Sequence, residues 1–236
     1  MDPVRPIPPP RLQRRLVTIL SASLLAAQAH AAAPHWPDTY VARLQTQALI
    51  QTLNAEILSS DSATLSLEKW CRDHQLAAEP RLVATLIQGA DRTPTREQRL
   101  RLQVGPEEPV KYRRVHLSCG ALVLSEADNW YVPGRLTGEM NRLLETTDIP
   151  FGRAVLGLAP FRRTYAATVL WSPLPPQWEL DKHGGKLRSD AAGRGRLAIP
   201  KALFEHKAIV FGRDLRPISE VVETYQRGLL AFPPPR

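Results

Sequence analysis

Cysteine is scarce in this sequence: Cys71 and Cys119 are the two among 236 residues. Two thiols cannot build a zinc site from cysteine alone, and they can form at most one disulfide. From the sequence, a disulfide and a pair of buried free thiols are equally open. Histidine is also sparse, and its six residues include no pair two or four positions apart. No metal site is therefore predicted.

The sequence also lacks the motifs of several large enzyme classes. It contains no G-x-S-x-G, no P-loop, no H-E-x-x-H and no dinucleotide fingerprint. No helix-turn-helix, zinc-finger spacing or aromatic-basic RNA motif is visible, so nucleic acid is not a predicted partner. No cofactor is predicted either.

Positive charge is abundant but spread out. Lysine and arginine number 31 against 23 acidic residues, a net charge of +8, and they form no long basic run. A scattered positive field suits anionic small molecules as well as acidic surfaces, and it selects none of them by itself.

The N-terminus has the pattern of an export signal. Three arginines between positions 11 and 15 precede the apolar stretch Leu16–Ala27, and Ala29–Ala31 fits a small-x-small cleavage site. The apolar stretch is too short for a transmembrane span. We therefore predict a signal peptide over 1–31 and one domain over 32–236, periplasmic or secreted. A start codon further downstream would instead make the protein cytoplasmic.

Hydrophobic periodicity predicts an α+β fold. Helices are expected over Tyr40–Leu58, with Asp38 as N-cap, through Leu65–Cys71, and after the N-cap Thr137. Strands are expected over 81–88, 99–104, 110–118, 121–132, 163–171, 202–211 and 218–227. Short turns between successive strands imply an antiparallel β-sheet with helices packed on one face. The polar segment 173–195 is predicted to be a mobile surface insertion.

Three features could carry chemistry. Arg113 and Arg114 are adjacent in a strand, so one of them faces a buried side and needs an anion there. The tetrapeptide Pro150–Arg153 allows a close backbone approach at its glycine. Glu223, in the last strand, is either a solvated edge residue or a buried carboxyl group suited to proton transfer.

Together these residues resemble the chorismate pyruvate-lyase family. That family has an arginine strand, a strand ending in Val-Pro, a helix, a Pro-Leu-Gly-Arg loop and a final strand bearing glutamate. The order and spacing match over residues 58 to 230, in the blocks Tyr112–Arg114, Asp128–Pro133, Thr147–Arg153 and Arg216–Tyr225.

The resemblance implies roles for individual residues. It places Arg114 on the arginine that binds the substrate carboxylate, Phe151 and Gly152 on the loop that lines the pocket, and Glu223 on the carboxylate near the ring oxygen. Ala63 falls where the family has a methionine in the substrate pocket. A further departure is Asn129, where the family enzymes can have an arginine.

The implied activity is elimination of pyruvate from chorismate to give 4-hydroxybenzoate, a ubiquinone precursor. Arg114 would hold a carboxylate and Glu223 would supply a proton, so both would be catalytic and no cofactor would be needed. A period of two puts Glu223 and Glu220 on opposite faces, so only one can enter the pocket; the resemblance favours Glu223.

Two other functions stay open from the sequence. The same fold resembles the UTRA effector-binding domains of bacterial transcription regulators, so the chain could be an exported binding or sensing module for an aromatic carboxylate. The departures at Ala63 and Asn129 favour such a non-catalytic role. A secreted structural or interaction protein is the third possibility.

Overall fold

The computed structural model describes residues 35–89, 91–180 and 195–235. The predicted signal peptide, 1–31, lies outside the described residues, and so does the middle of the predicted insertion, 181–194. None of the helices in the described ranges is long and apolar enough to cross a membrane.

The described residues form five α-helices, four short 3-10 helices and six strands. The helices are α1 Tyr40–Ser59, α2 Ala63–Asp73, α3 Arg96–Leu102, α4 Gly138–Thr146 and α5 Phe151–Ala154. The strands are β1 Leu82–Leu86, β2 Lys111–Cys119, β3 Leu122–Tyr131, β4 Phe161–Val169, β5 Ala202–Phe211 and β6 Pro217–Gln226. They make one sheet in the order β1-β2-β3-β6-β5-β4, and every neighbouring pair is antiparallel. The predicted α+β class with an antiparallel sheet is confirmed.

The sheet has an inner face that α1 and α2 cover. Strand alternation places residues 113, 115 and 117 of β2 on this face, in register with 129, 127 and 125 of β3 and then with 221, 223 and 225 of β6. The core packs here, where helix side chains meet the sheet: Ile50, Leu53, Ile57, Leu67 and Trp70 against Val115, Leu117, Ala127, Ala208, Val221 and Tyr225. We call the opposite side the outer face.

The first helix begins at Tyr40, as predicted, but its N-cap is one residue later than predicted. Thr39, not Asp38, is the N-cap of α1, because its side chain accepts the amide hydrogen of Ala42. The Asp38 carboxylate instead accepts from Arg43, at 2.7 Å from its Nε. The predicted N-cap Thr137 is confirmed for α4, where its side chain accepts from the amide of Met140.

The predicted strand over 99–104 is wrong, because this segment is the helix α3. Thr95 and Gln98 form a capping box, each side chain bonded to the other's backbone amide. The helix packs on the outer face, where Leu102 contacts Trp130 and Val132. This helix therefore packs on the opposite face of the sheet from α1 and α2.

The ends of the predicted insertion are attached to the start of α1. Leu174 is buried, and the Pro173 carbonyl accepts a hydrogen bond of 2.9 Å from Arg43. On the other side of the insertion, the Gly195 carbonyl accepts from the amide of Asp38 at 2.9 Å.

The two cysteines form a disulfide that joins α2 to β2. Cys71 and Cys119 are both fully buried, with their Cα atoms 6.4 Å apart. Of the two arrangements that the sequence left open, the structure has the disulfide.

Candidate functional site

A pocket opens between the inner face of the sheet and the N-terminal ends of α2 and α5. Its cavity volume is about 70 Å³, and the empty space around it, open solvent included, is about 660 Å³. Its walls are mainly apolar side chains from the sheet and from the segment before β4: Val115, Leu117, Ala127, Phe151, Pro160, Val210 and Val221. A concave, largely apolar pocket with a few polar groups is the usual form of a small-molecule site.

Arg113 lines this pocket and has no acidic partner. Its residue surface is 6% exposed, and no carboxylate among residues 35–89, 91–180 and 195–235 lies within ion-pair distance of its guanidinium. Its Nε atom is buried without a hydrogen-bond partner. Burial lowers the pKa of the Arg113 side chain from its usual value, while Tyr131 and the Asp148 carboxylate, which is beyond ion-pair distance, act to raise it. An unpaired buried cation is unfavourable, so this position calls for an anion from outside the chain.

Arg114 was the predicted carboxylate-binding residue, and its predicted placement in the pocket is wrong. In the β2–β3 register, Arg113 lies opposite Asn129, whereas Arg114 lies opposite Asp128 on the outer face. There the Arg114 guanidinium pairs with Glu126, and its Nε is 3.6 Å from an oxygen of Asp128. Strand alternation therefore directs the neighbouring arginine, Arg113, inward.

Glu223 lies in the pocket, as predicted, and it is held by two side chains. One of its oxygens, Oε2, is 2.8 Å from the Arg162 Nη2 and accepts a hydrogen bond of 3.0 Å from the Tyr225 hydroxyl. The carboxylate is buried, with 6% of the residue surface exposed. Its charge is thus balanced within the protein.

Glu220 lies on the outer face, three residues before Glu223. Both of its oxygens accept from Arg101, at 2.9 and 2.8 Å, and one also accepts from the Tyr165 hydroxyl at 2.8 Å. A bidentate pair with a further hydrogen bond leaves this carboxylate fully engaged, so it is not available to the pocket.

Sequence reasoning missed Arg162, which β4 brings to the pocket. Its side chain is 3% exposed, and none of its three guanidinium nitrogens has a hydrogen-bond partner among the described residues, although Nη2 lies at ion-pair distance, 2.8 Å, from the Glu223 carboxylate. Burial acts to lower its pKa, yet the Glu223 carboxylate beside it leaves the pKa raised. The available signal was a pair of arginines, Arg162 and Arg163, in a β-rich run, where alternation must turn one inward.

Three more predicted residues line the same pocket: Ala63, Phe151 and Gly152. Gly152 lets α5 approach the start of α2 closely, because a Cβ atom there would lie 2.8 Å from the Thr64 Oγ1. Thus the structure brings together every predicted site residue except Arg114.

Two further polar atoms in the pocket wall have no partner. Asn129 Oδ1 and Ser219 Oγ are buried and make no hydrogen bond within the described part of the chain. Buried polar groups are usually hydrogen-bonded, so a cluster of unsatisfied ones in a single pocket indicates a place for a polar ligand or water. Neither residue was among the predicted site residues.

The described residues contain no cluster of potential metal ligands. No three side chains of histidine, cysteine, aspartate or glutamate come together there in a way that could hold an ion.

This chain is similar to a curated protein over most of the length of both. The uncharacterized protein y4mC of Sinorhizobium fredii is 44% identical over 221 residues, which are 93% of this chain and 91% of y4mC. The chain belongs to the y4mC family. A scan against protein-family models found no match.

Two solved bacterial structures are similar to this chain at low sequence identity. The effector domain of PhnF from Mycobacterium smegmatis is 13% identical with a TM-score of 0.43, covering 71% of this chain and 89% of that domain. YydK from Bacillus subtilis, described as a possible transcriptional regulator, is 15% identical with a TM-score of 0.36 and covers 61% of this chain. The match spans 58% of YydK.

Proposed function

We propose that the inner-face pocket binds a small aromatic carboxylate as a ligand. The observation that carries the proposal is the unpaired, buried guanidinium of Arg113. A ligand carboxylate would complete the missing ion pair through two parallel hydrogen bonds, and the apolar walls would cover an aromatic ring.

The spacing of polar groups supports a ligand with one ring. Arg113 on β2 and Glu223 on β6 are separated by one intervening strand and by two positions along the sheet. With strands about 4.8 Å apart and a rise of about 3.3 Å per residue, their Cα atoms are roughly 12 Å apart. Both side chains lie on the inner face and line the pocket, so a ligand that contacts both would be about the length of one substituted ring.

The environment of Glu223 supports a hydroxyl group at the far end of that ring. Its Oε2 atom already accepts from Tyr225 and faces Arg162, so the group is arranged as a hydrogen-bond acceptor. A carboxylate in this role would accept a ligand hydroxyl. We therefore choose 4-hydroxybenzoate as the probe.

The test is calorimetric titration of 4-hydroxybenzoate into the full chain and two variants. Arg113→Ala should weaken binding by roughly 30-fold or more, the scale for removing one partner of a buried charge pair. Arg114→Ala is the matched control, because it removes the adjacent arginine from the outer face, and it should leave affinity within about threefold. Equal losses in the two variants, or no binding by the unmodified chain, would refute the proposal.

Chorismate pyruvate-lyase activity is the second candidate function. What favours it is that Ala63, Phe151, Gly152 and Glu223, to which the family resemblance assigns substrate contacts, line one pocket. Such a pocket could hold the substrate and exclude water, while Arg113 takes the carboxylate role first given to Arg114.

Incubating the full chain with chorismate, and measuring both pyruvate and 4-hydroxybenzoate, tests this candidate. If Glu223 is a general acid, Glu223→Gln should reduce turnover by roughly 10² to 10⁴. Binding of 4-hydroxybenzoate without turnover of chorismate would leave the ligand-binding function alone.

We also propose that the protein is exported and loses residues 1–31. The disulfide between Cys71 and Cys119 supports this, because disulfides persist in oxidising compartments such as the periplasm. Mass spectrometry of the protein isolated from its host should find a mature N-terminus near Ala32; an intact Met1 would contradict export with cleavage.

A further inference from the structure

We propose that the pocket selects monocarboxylates over dicarboxylates, and that Asn129 is the residue that sets this selectivity. The inference rests on the proposed binding of a monocarboxylate and names the charge class of that ligand. It stands against the lyase candidate, because chorismate has two carboxylates. It follows from the number of charged side chains in the pocket wall and from which of them already form an ion pair.

Four ionisable side chains line the pocket. Arg162 and Glu223 form an ion pair of 2.8 Å, so their charges cancel. Arg113 is left with one unpaired positive charge. The fourth side chain, Asp61, is exposed and adds a negative charge at the rim. The buried part of the wall therefore has a net charge of one, which one carboxylate neutralises.

A second carboxylate on the same ligand would have no cation to pair with. All other lining residues are uncharged, and Asp61 and Glu223 would both repel an additional anion. A buried carboxylate without an opposite charge is strongly unfavourable, even where it keeps some hydrogen bonds. We therefore expect a penalty for every ligand that places a second carboxylate inside the pocket.

Asn129 occupies the position where a second cation would matter most. It lies directly opposite Arg113 in the β2–β3 register and beside Val221 of β6, so it belongs to the pocket floor next to Arg113. It is 4% exposed and neutral, and its Oδ1 has no partner. Directly opposed residues have Cβ atoms about 5 Å apart, so an arginine here would place a second guanidinium beside the first.

The experiment compares benzoate with benzene-1,3-dicarboxylate at pH 7, by calorimetry on the full chain. Unmodified protein should bind the dicarboxylate at least tenfold more weakly than benzoate. Asn129→Arg should reverse this preference, because it supplies the second cation. Asn129→Gln is the matched control: it keeps a neutral amide and should keep the preference for benzoate.

The outcomes separate this inference from the function on which it rests. If neither acid binds to the unmodified chain, the proposed function fails. If both bind with similar affinity, or the dicarboxylate binds more tightly, the pocket is an anion site without charge selectivity and this inference alone is overturned. A folded Asn129→Arg variant that still prefers benzoate would exclude Asn129 as the determinant. If that variant does not fold, the affinity ratio of the unmodified chain decides.

Discussion

The two faces of the sheet differ in how their charged side chains are paired. On the outer face, Arg114 pairs with Glu126, and Glu220 is held by Arg101 and Tyr165. On the inner face, Arg113 has no acidic partner within the described residues, although it is one residue away from Arg114. The outer face thus pairs these charges within the chain, whereas the inner face leaves the charge of Arg113 without an acidic partner among the described residues.

Two adjacent residues of β2 therefore differ in role: Arg114 belongs to an ion pair of the sheet surface, whereas Arg113 is the candidate binding residue. Partly exposed ion pairs contribute little to stability but keep a sheet surface soluble. An unpaired buried cation lowers stability, and such a residue is retained when it serves a site. Matched substitutions on the two faces test whether this contrast holds.

The largest effect is expected from breaking the inner-face ion pair. Glu223→Ala should lower the free energy of unfolding by about 3–5 kcal/mol, because it leaves the Arg162 guanidinium buried and unpaired. Glu220→Ala should lose about 1–3 kcal/mol, since its partner Arg101 has a side chain 37% exposed that water can solvate. Urea unfolding of both variants measures the difference; equal losses would contradict it.

A second large effect is expected from the disulfide that links α2 to β2. The Cys71→Ala, Cys119→Ala double variant should lose roughly 2–4 kcal/mol, because the bond spans 48 residues of sequence and restricts the unfolded chain. Urea unfolding with and without reductant measures the loss. Reductant should destabilise the unmodified chain and leave the double variant unchanged. A double variant as stable as the oxidised chain would contradict the role of the bond.

Acid should weaken the inner face through His206, which is fully buried beside the Arg162–Glu223 pair. Burial, aided by the positive charge of Arg162, lowers the pKa of His206 from 6.5 to about 4. The unfolded state therefore binds a proton between these values while the folded state does not. Stability is full above pH 6.5 and falls as the pH drops towards 4, by on the order of 3 kcal/mol.

Unfolding free energies measured across that pH range test the role of His206. His206→Asn should flatten the decline below pH 6.5, and His116→Asn, on the outer face, is the matched control. A slope that is unchanged in His206→Asn would assign the acid sensitivity to other groups.

The smallest effect is expected from substituting the two adjacent arginines, which lie on opposite faces of the sheet. It is also the most direct test of the difference between the faces. Arg113→Leu should raise the free energy of unfolding by about 1 kcal/mol without ligand, because it removes an unpaired buried charge. Arg114→Leu should lower it by up to about 1 kcal/mol, because it breaks a partly exposed ion pair. Thermal unfolding of the two variants should thus shift in opposite directions; shifts of the same sign would contradict the contrast.

Most elements could be predicted because their signals are local. The long amphipathic pattern of α1, the cap at Thr137 and the hairpin turn before β6 depend on near neighbours in sequence. The error at α3 has the same origin: apolar residues in 99–104 suggested a strand, while the capping box at Thr95 and Gln98 was the better signal.

The site was only partly predictable because it is assembled from distant strands. Glu223 and the loop residues Phe151 and Gly152 were found through a family resemblance that preserves order and spacing. Arg162 was missed, since nothing near it in sequence indicates that β4 pairs with β5 and brings it within 2.8 Å of Glu223.

The sequence by itself determined the class of most elements, though not of α3, and the antiparallel connections. It also determined that Arg113 and Arg114 point to opposite faces, because a strand alternates with a period of two. Only the tertiary structure decided which arginine points inward. That depends on how β2 pairs with β3 and on which side α1 and α2 bury their apolar residues, and both are long-range packing choices. Shifting the register by one residue would exchange the two arginines, and with them the candidate binding residue.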